Sequence, residues 1–373
     1  TFPGIGGTLS FDGSNVFNGT AGTGRLIAVD QNEIDITKSG AIVGAADNWG
    51  PIQRSVNAAV RASTQSSYTV HSDGKSPDVY VPRGVYDISK TISVPGNPLN
   101  FYSSIRIYGD GKDRSVIRAV ASATSVTMPY MIDFLEPTAT LGNSYWHMYK
   151  IGLEGTNPWS TGDSITGVNM MKSSYATIDD CMFRYFDNAI EIRNWSNIIK
   201  SSRFEYCTNG IYISKQDGIN GQSTVNDLIF ISNSFGTVDY CIRQAPSLPI
   251  NYLKIADSQF DGVNRASIVF NGPVALFQIH NNYFELQGTA GPATVSTNNS
   301  GGTATCNGAI VMHPTTDNVS SANGSITGNL FINCNTSNLV STSGNKWLTI
   351  ENNSVSSGSV IGSFVDIADV CGI

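Results

Sequence analysis

The sequence predicts an all-β protein, a solenoid of stacked coils known as a parallel β-helix, with a short α-helix capping its N-terminal end. A six-residue motif recurs through the second half of the 373-residue chain, and a second apolar position follows it at a fixed distance. Charged residues make up only 14% of the chain, against roughly 25% in an ordinary globular protein. This composition suits a turn-rich β protein with a neutral polar surface.

The recurring motif has the form apolar-x-x-small-x-aromatic. It occurs as IDDCMF (178–183), IKSSRF (199–204), FISNSF (230–235), IADSQF (255–260), IHNNYF (279–284) and ITGNLF (326–331), with a variant IENNSV at 350–355. Successive copies start 21, 31, 25, 24, 47 and 24 residues apart. One coil of about 21 to 25 residues therefore repeats, with insertions. The interval of 47 residues holds either a long loop or an extra, degenerate coil.

A second strand is expected seven residues after the motif aromatic. This spacing joins Phe183 to Ile190, Phe204 to Ile211 and Phe235 to Ile242. The turns between them carry DNA, TNG and DYC, and Asn and Gly tolerate the positive φ of tight turns. Stacked coils would pair their strands in parallel and bury Ile on Ile and Phe on Phe. A helical solenoid is disfavoured because no repeat keeps a 3.6-residue apolar period over ten residues.

A helix before the first coil would cover the open end of the solenoid. Residues 50–63 read GPIQRSVNAAVRAS, with Ile52, Val56 and Val60 on one face. Asp47 or Asn48 is the expected N-cap. The predicted organisation is a neck at 1–45, the capping helix at 46–64, the β-helix at 65–360 and its C-terminal end at 361–373.

The first coils resemble the pectate-lyase-like superfamily, and the whole chain is most similar within it to bacteriophage tailspikes and capsular polysaccharide depolymerases. The resemblance rests on DITKSGAIVGAADNWGPIQRSVNAAV, VYVPRGVYDIS and IRIYGDG, and it extends over roughly residues 35–355. It implies a right-handed, single-stranded parallel β-helix that assembles as a homotrimer. It also implies a bacterial surface polysaccharide as partner and a place on the virion, joined to the baseplate or tail through a region preceding Thr1.

Charge and hydropathy set further expectations about partners. A net charge of −7 without a Lys/Arg-rich run argues against nucleic acid, and no apolar run reaches the roughly 18 residues of a membrane span. The chain opens at Thr1 without an initiator Met, which suggests a processed product or a fragment. We expect no cofactor and no metal, because no CxxC, HExxH or dinucleotide-binding motif occurs.

The candidate catalytic residues occupy the position just after the motif aromatic, which faces solvent. This position holds Arg184, Glu205, Gly236, Asp261 and Glu285 in successive copies. Glycoside hydrolysis needs one protonated and one ionised carboxyl, about 5 Å apart for retention or about 6.5–9.5 Å apart for inversion. Glu205, Asp261 and Glu285 are therefore the predicted catalytic residues. Arg184 is predicted to bind an acidic sugar or to orient a carboxylate.

Other candidates for substrate binding come from aromatic and charged positions near turns. Trp195 and Tyr212 offer ring faces to sugars. Glu191, Tyr212 and Arg243 share one outward column, which is either a sugar platform or a trimer contact. Asp239, at a turn, and His280, in an Asn-rich turn, complete the predicted substrate-binding set. Two polar insertions, residues 214–225 and 287–307, are expected to wall a binding site or to be functionless loops.

Two alternatives to hydrolysis remain open at this point. A polysaccharide lyase would cleave a uronic-acid glycan by β-elimination with a Lys, Arg, His or Tyr base. A receptor-binding spike would grip glycan without cutting it.

Overall fold

The computed structural model is a parallel β-helix, which confirms the predicted all-β class. It describes residues 33–65, 78–94, 105–134, 146–156, 164–171, 173–214, 225–287, 308–312, 322–334, 338–343, 346–356 and 363–368, with residue 158 and the short strands 9–11, 16–19, 25–27, 143–144, 293–296 and 303–306. Each coil contributes one strand to each of three parallel sheets, which we name A, B and C in the order the chain visits them.

Sheet A has eleven strands: Glu33–Asp35, Asp78–Val81, Arg106–Gly109, His147–Tyr149, Thr177–Asp179, Trp195–Lys200, Asn226–Ile231, Ile250–Ala256, Val274–His280, Ala322–Thr327 and Lys346–Glu351. Sheet B has ten: Gly84–Ile88, Ser115–Ala119, Gly152–Glu154, Met182–Arg184, Arg203–Glu205, Ser234–Gly236, Gln259–Asp261, Tyr283–Glu285, Leu330–Ile332 and Ser354–Val355. Sheet C also has ten: Ile92–Val94, Tyr130–Phe134, Thr166–Met170, Asn188–Ile192, Asn209–Ile213, Tyr240–Gln244, Ala266–Phe270, Ile310–Met312, Asn338–Ser343 and Ser363–Ala368.

Small sheets lie outside this framework. Leu9–Phe11, Val16–Gly19 and Arg25–Ile27 form an antiparallel sheet near the N-terminus, and Asn143–Ser144 pairs in parallel with Ser173–Ser174. Ala293–Ser296 and Thr303–Cys306 form an antiparallel hairpin.

The motif aromatics form one continuous buried stack along sheet B. The rings of Phe183, Phe204, Phe235, Phe260, Phe284 and Phe331 lie with neighbouring centroids 4.7–5.1 Å apart. Phe284 contacts Phe331 directly, so the interval of 47 residues contains an insertion in one coil and not an extra coil. The predicted ladder of Ile190, Ile211 and Ile242 on sheet C is confirmed as well.

The small residue of the motif closes the tight turn from sheet A to sheet B. Each side chain accepts a hydrogen bond from the backbone N–H of its counterpart one coil earlier, at 2.9–3.2 Å. The accepting residues are Ser202, Asn233, Ser258, Asn282, Asn329 and Asn353. A buried N–H without an acceptor is costly, so the motif requires a small polar side chain at most of these positions.

The predicted N-terminal helix is confirmed and spans Trp49–Gln65. Ile52, Val56 and Val60 are buried, and the helix packs on the first coils beside strands of sheets A and C. The Asp47 carboxylate accepts the Trp49 N–H at 2.9 Å, whereas the Asn48 side chain accepts the N–H of Ile42. Asp47 therefore supplies the side-chain cap. No helix among the residues described above is long and apolar enough to cross a membrane.

The connections between sheets differ in length, and the long ones adjoin sheet C. The turns from sheet A to sheet B are short throughout. Apart from residues 36–77, which carry the capping helix and join two strands of sheet A, the longest connections begin or end at sheet C: 120–129, 155–165 and 286–309 enter it from sheet B, and 95–105, 135–146 and 214–225 leave it for sheet A. Both insertions singled out in the sequence therefore flank sheet C.

Candidate functional site

The predicted carboxylates lie in one column on the outer face of sheet B. Pairing places Asp87, Arg118, Glu154, Arg184, Glu205, Gly236, Asp261 and Glu285 at equivalent positions of consecutive strands. Paired strands are about 4.8 Å apart. Asp261 and Glu285 are therefore immediate neighbours, and Glu205 and Asp261 are two strands apart, at about 10 Å.

Arginines neutralise the N-terminal half of this column. Arg184 Nε lies 2.6 Å from Glu205, and its Nη1 lies 3.8 Å from Glu154. The guanidinium of Arg203, on the same strand as Glu205, contacts the second oxygen of that carboxylate. Glu205 thus forms ion pairs with two arginines.

Gly236 leaves a gap in the column between Glu205 and Asp261. A Cβ built at this glycine would meet no atom within 4 Å, so the space above it is open. A substrate group can therefore approach the sheet between the two carboxyl groups.

The C-terminal half of the column holds an uncompensated pair of carboxyl groups. Burial raises the pKa of Asp261, and the adjacent Glu285 charge raises it further. Tyr283 donates a hydrogen bond from its hydroxyl to Glu285 Oε2 at 2.6 Å. Asp261 is consequently the member of this column suited to carry a proton.

An aromatic shelf borders the column at the turn that leaves sheet B. Tyr185 and Tyr206 both have positive φ, 64° and 54°, and their rings stack with centroids 5.3 Å apart. Tyr206 is 39% exposed. Exposed rings of this kind pack against the apolar faces of sugars.

A second polar group occupies the outer face of sheet C, and it includes two of the predicted binding residues. Asp133, Asn169, Glu191, Tyr212 and Arg243 are consecutive in its register. Sequence analysis placed Glu191, Tyr212 and Arg243 together but missed Asp133 and Asn169, because the repeat was identified only from residue 178 onward. Aligning YMIDF (130–134) and TGVNM (166–170) with NAIEI (188–192) supplies the missing signal.

These sheet C residues are enclosed although their positions face outward. Asp133, Asn169 and Glu191 are each only 9% exposed, and Asn169 Nδ2 donates to Asp133 Oδ1 at 2.8 Å. Burial raises the pKa of Glu191, opposed by a hydrogen bond from Ser214 and reinforced by the charge of Asp187. Burial also raises the pKa of Asp187, although a hydrogen bond from Thr208 opposes the shift.

The remaining predicted binding residues are divided between two sheets. Asp239 lies at the turn into sheet C, where Asn264 donates to it at 2.8 Å and where its charge acts on Asp187. Trp195 begins a strand of sheet A, and its indole nitrogen is buried without a hydrogen-bond partner. His280 ends another strand of sheet A. Arg184 is thus the only predicted binding residue in the sheet B column.

Metal-binding side chains are not grouped in the parts of the chain that the structure describes: no three His, Cys, Asp or Glu residues there are arranged to hold an ion.

Comparisons with known proteins identify relatives in fold only. No protein-family model matches the sequence, and no curated protein matches it. Among solved structures, ORF18 of Geobacillus virus E2 is similar, with a TM-score of 0.59 and 19% identity over 90% of this chain and 61% of that protein. The enzymatically active domain of tailspike protein 2 from bacteriophage CBA120 gives a TM-score of 0.59 and 13% identity over 95% of this chain. The chain covers 48% of that tailspike structure.

A bacterial enzyme has a similar fold and a more similar length. DFA-IIIase from Arthrobacter chlorophenolicus A6 gives a TM-score of 0.56 and 13% identity over 90% of this chain and 85% of that enzyme. At these identities the likeness concerns the backbone and not the site. The comparisons therefore support the parallel β-helix fold that was predicted from the sequence.

Proposed function

We propose that this protein is a phage tailspike depolymerase that hydrolyses a bacterial surface polysaccharide, either capsule or O-antigen. The likeness to a phage protein and to the enzymatically active domain of a tailspike supports the assignment to a phage. The observation that carries the chemistry is the pair Glu205 and Asp261, placed on either side of the open position at Gly236.

In this proposal Asp261 is the general acid. Its raised pKa, caused by burial and by Glu285, keeps a proton available for the oxygen of the leaving sugar. Glu285 acts on Asp261 through its charge and is a positioning residue, itself held by the Tyr283 hydroxyl.

Glu205 is the proposed general base. Arg184 and Arg203 form ion pairs with it and orient it, and in this proposal its carboxylate takes a proton from water on the opposite side of the scissile bond. The separation of about two strand spacings leaves room for that water, and it is closer to the range for inverting enzymes than to the spacing of about 5 Å for retaining ones. The glycan would lie along the column, with the Tyr185 and Tyr206 shelf beside it.

We further propose that the protein acts extracellularly on the phage virion and as a homotrimer. Support for both comes from the resemblance to tailspikes.

The test is incubation of the protein with purified capsule and O-antigen from candidate host strains. Hydrolysis predicts new reducing ends and shorter chains, without the ultraviolet absorbance of an unsaturated uronic acid. Appearance of that absorbance would assign β-elimination instead. Tight binding to a polysaccharide that keeps its length would indicate a receptor-binding spike without cleavage activity.

A further inference from the structure

We infer that the outer face of sheet C forms a second glycan-binding site, separate from the carboxylates of sheet B, which takes a neutral, hydroxyl-rich sugar segment. It shares with the proposed function only the assumption that the ligand is a glycan.

Two neighbouring columns of sheet C present their side chains to the same face. Asn209 and Tyr212 lie on one strand, and their register partners on the next strand are Tyr240 and Arg243. The Arg243 guanidinium lies 4.4 Å from the centre of the Tyr240 ring, so these two columns meet on the outside of the sheet. A Cβ at Gly210 would meet the core ring of Phe235, and the next residue, Ile211, is also in the core, so the alternation shifts at Gly210 and Asn209 faces the same surface as Tyr212.

This surface is enclosed even though it is polar. Asp133, Asn169 and Glu191 lie next to the inward-facing Ile132, Val168 and Ile190, and an ordinary outward position of this kind would be exposed to solvent. Instead all three polar residues are more than nine-tenths buried.

One polar atom at this surface lacks the partner that burial requires. Asn209 is 6% exposed and donates from Nδ2 to Asn188 at 2.9 Å, but no donor among the described residues reaches its buried Oδ1. Buried acceptors are nearly always satisfied, so this oxygen indicates a position for an external donor. A sugar hydroxyl supplies such a donor.

The surrounding groups favour a neutral sugar over an anionic one. Glu191 and Tyr212 interact electrostatically, as do Glu191 and Tyr130 from two strands earlier. Asp187 and Asp133 add carboxyl groups to the same region, so the carboxyl groups of the site outnumber its Arg243 guanidinium and disfavour an acidic sugar. Hydroxyl groups, which both donate and accept, match this mixture of carboxyl, carboxamide and phenol groups.

The polar surface has a defined end. The next residues in the column after Arg243 are Val269 and Val311, which are fully buried. The hairpin strand Ala293–Ser296 lies beside the strand Ala266–Phe270 at this level. The proposed site therefore extends from Asp133 to Arg243 and stops where the outer face becomes apolar.

Binding of an array of neutral, amino-sugar and uronic-acid oligosaccharides tests this inference. The Asp261→Asn protein would be used so that the proposed chemistry at sheet B does not consume the ligand. We expect the strongest signals from neutral oligosaccharides. In the Asp261→Asn background, a second substitution, Glu191→Leu or Tyr212→Phe, should weaken binding of the best oligosaccharide about tenfold, because each removes one hydrogen bond in a site shielded from water. The matched substitutions on sheet A, Glu351→Leu and Tyr252→Phe, should leave the affinity for this oligosaccharide unchanged.

A crystal soaked with the same oligosaccharide gives a readout independent of these substitutions. A sugar hydroxyl within hydrogen-bond distance of Asn209 Oδ1 would support the inference. Unchanged affinity in both correctly folded sheet C variants would overturn it. Strongest binding to uronic-acid sugars, or no binding to any oligosaccharide of the array, would do so as well.

Discussion

At the residue scale, the outer column of sheet B places chemically similar carboxyl groups among different neighbours. Glu205 lies between two arginines, whereas Asp261 is adjacent to another carboxyl group and has a raised pKa through burial and that neighbour. Neither difference is visible in the motif, because both residues simply follow a buried Phe. In the proposed mechanism, neighbours on the same strand and on the adjacent strand distinguish the acid from the base.

Replacing Asp261 with Asn should therefore abolish cleavage without unfolding the protein. A positioned general acid contributes about 10²–10⁴ in rate, so kcat should fall at least about 100-fold. Reducing-end release from the polysaccharide substrate measures the effect. Asp87→Asn, in the same column and paired with Arg118, is the matched control and should retain full activity. Unaltered kcat in Asp261→Asn would exclude Asp261 as the acid.

Glu285→Gln should shift the pH profile and not merely lower activity. Asp261 works in its protonated form, so activity is lost as the pH rises through its pKa. Removing the Glu285 charge removes one cause of the raised pKa of Asp261. The alkaline limb of kcat against pH should move to lower pH. A limb at the same pH as in the wild-type protein would contradict this coupling.

At the element scale, each coil is held in register by the hydrogen-bonded turn between sheets A and B. Asn282 Oδ1 accepts the Ser258 N–H at 3.0 Å, and its Nδ2 donates to the Ile255 carbonyl at 3.1 Å. At the equivalent position of other coils, Ser202 and Ser258 make the same acceptor contact through a hydroxyl. The turn therefore depends on an acceptor oxygen at this position more than on a particular side chain.

Asn282→Ala should destabilise the fold more than Asn282→Ser. Alanine leaves the buried Ser258 N–H without an acceptor, at a cost of about 1–3 kcal/mol, whereas serine can replace that acceptor. The midpoint of denaturant unfolding for both variants measures the difference. Equal destabilisation by the two substitutions would show that packing, and not the hydrogen bond, is the source of the effect.

At the scale of the whole molecule, the repeat predicted the core and the register of sheet B because each copy is marked by a large buried ring. The Glu205, Asp261 and Glu285 column follows from counting one residue beyond Phe204, Phe260 and Phe284. Sheet C was less predictable, because insertions of different length separate its strands from the motif. Its early strands, with Asp133 and Asn169, precede the first recognised copy.

The burial of the outer face of sheet C could not be predicted from the alternation of inward and outward residues along each strand. The two-residue period of a strand assigns Glu191 to the outside, and the outside of a solenoid is normally wet. The burial of Glu191 depends on what lies over sheet C, and local periodicity carries no information about that.

Assembly is a prediction at this scale. We expect light scattering to give three times the chain mass of 39.8 kDa, because the resemblance to tailspikes implies a trimer. A mass equal to one chain at micromolar concentration would contradict it.

The stereochemistry of cleavage tests the central claim most directly. Proton NMR of the first products, recorded before the sugar anomers equilibrate, shows whether the configuration at the cleaved carbon has changed. Glu205 and Asp261, two strands apart with a gap between them, predict inversion. Retention of configuration, or an unsaturated sugar in the product, would contradict this assignment of acid and base.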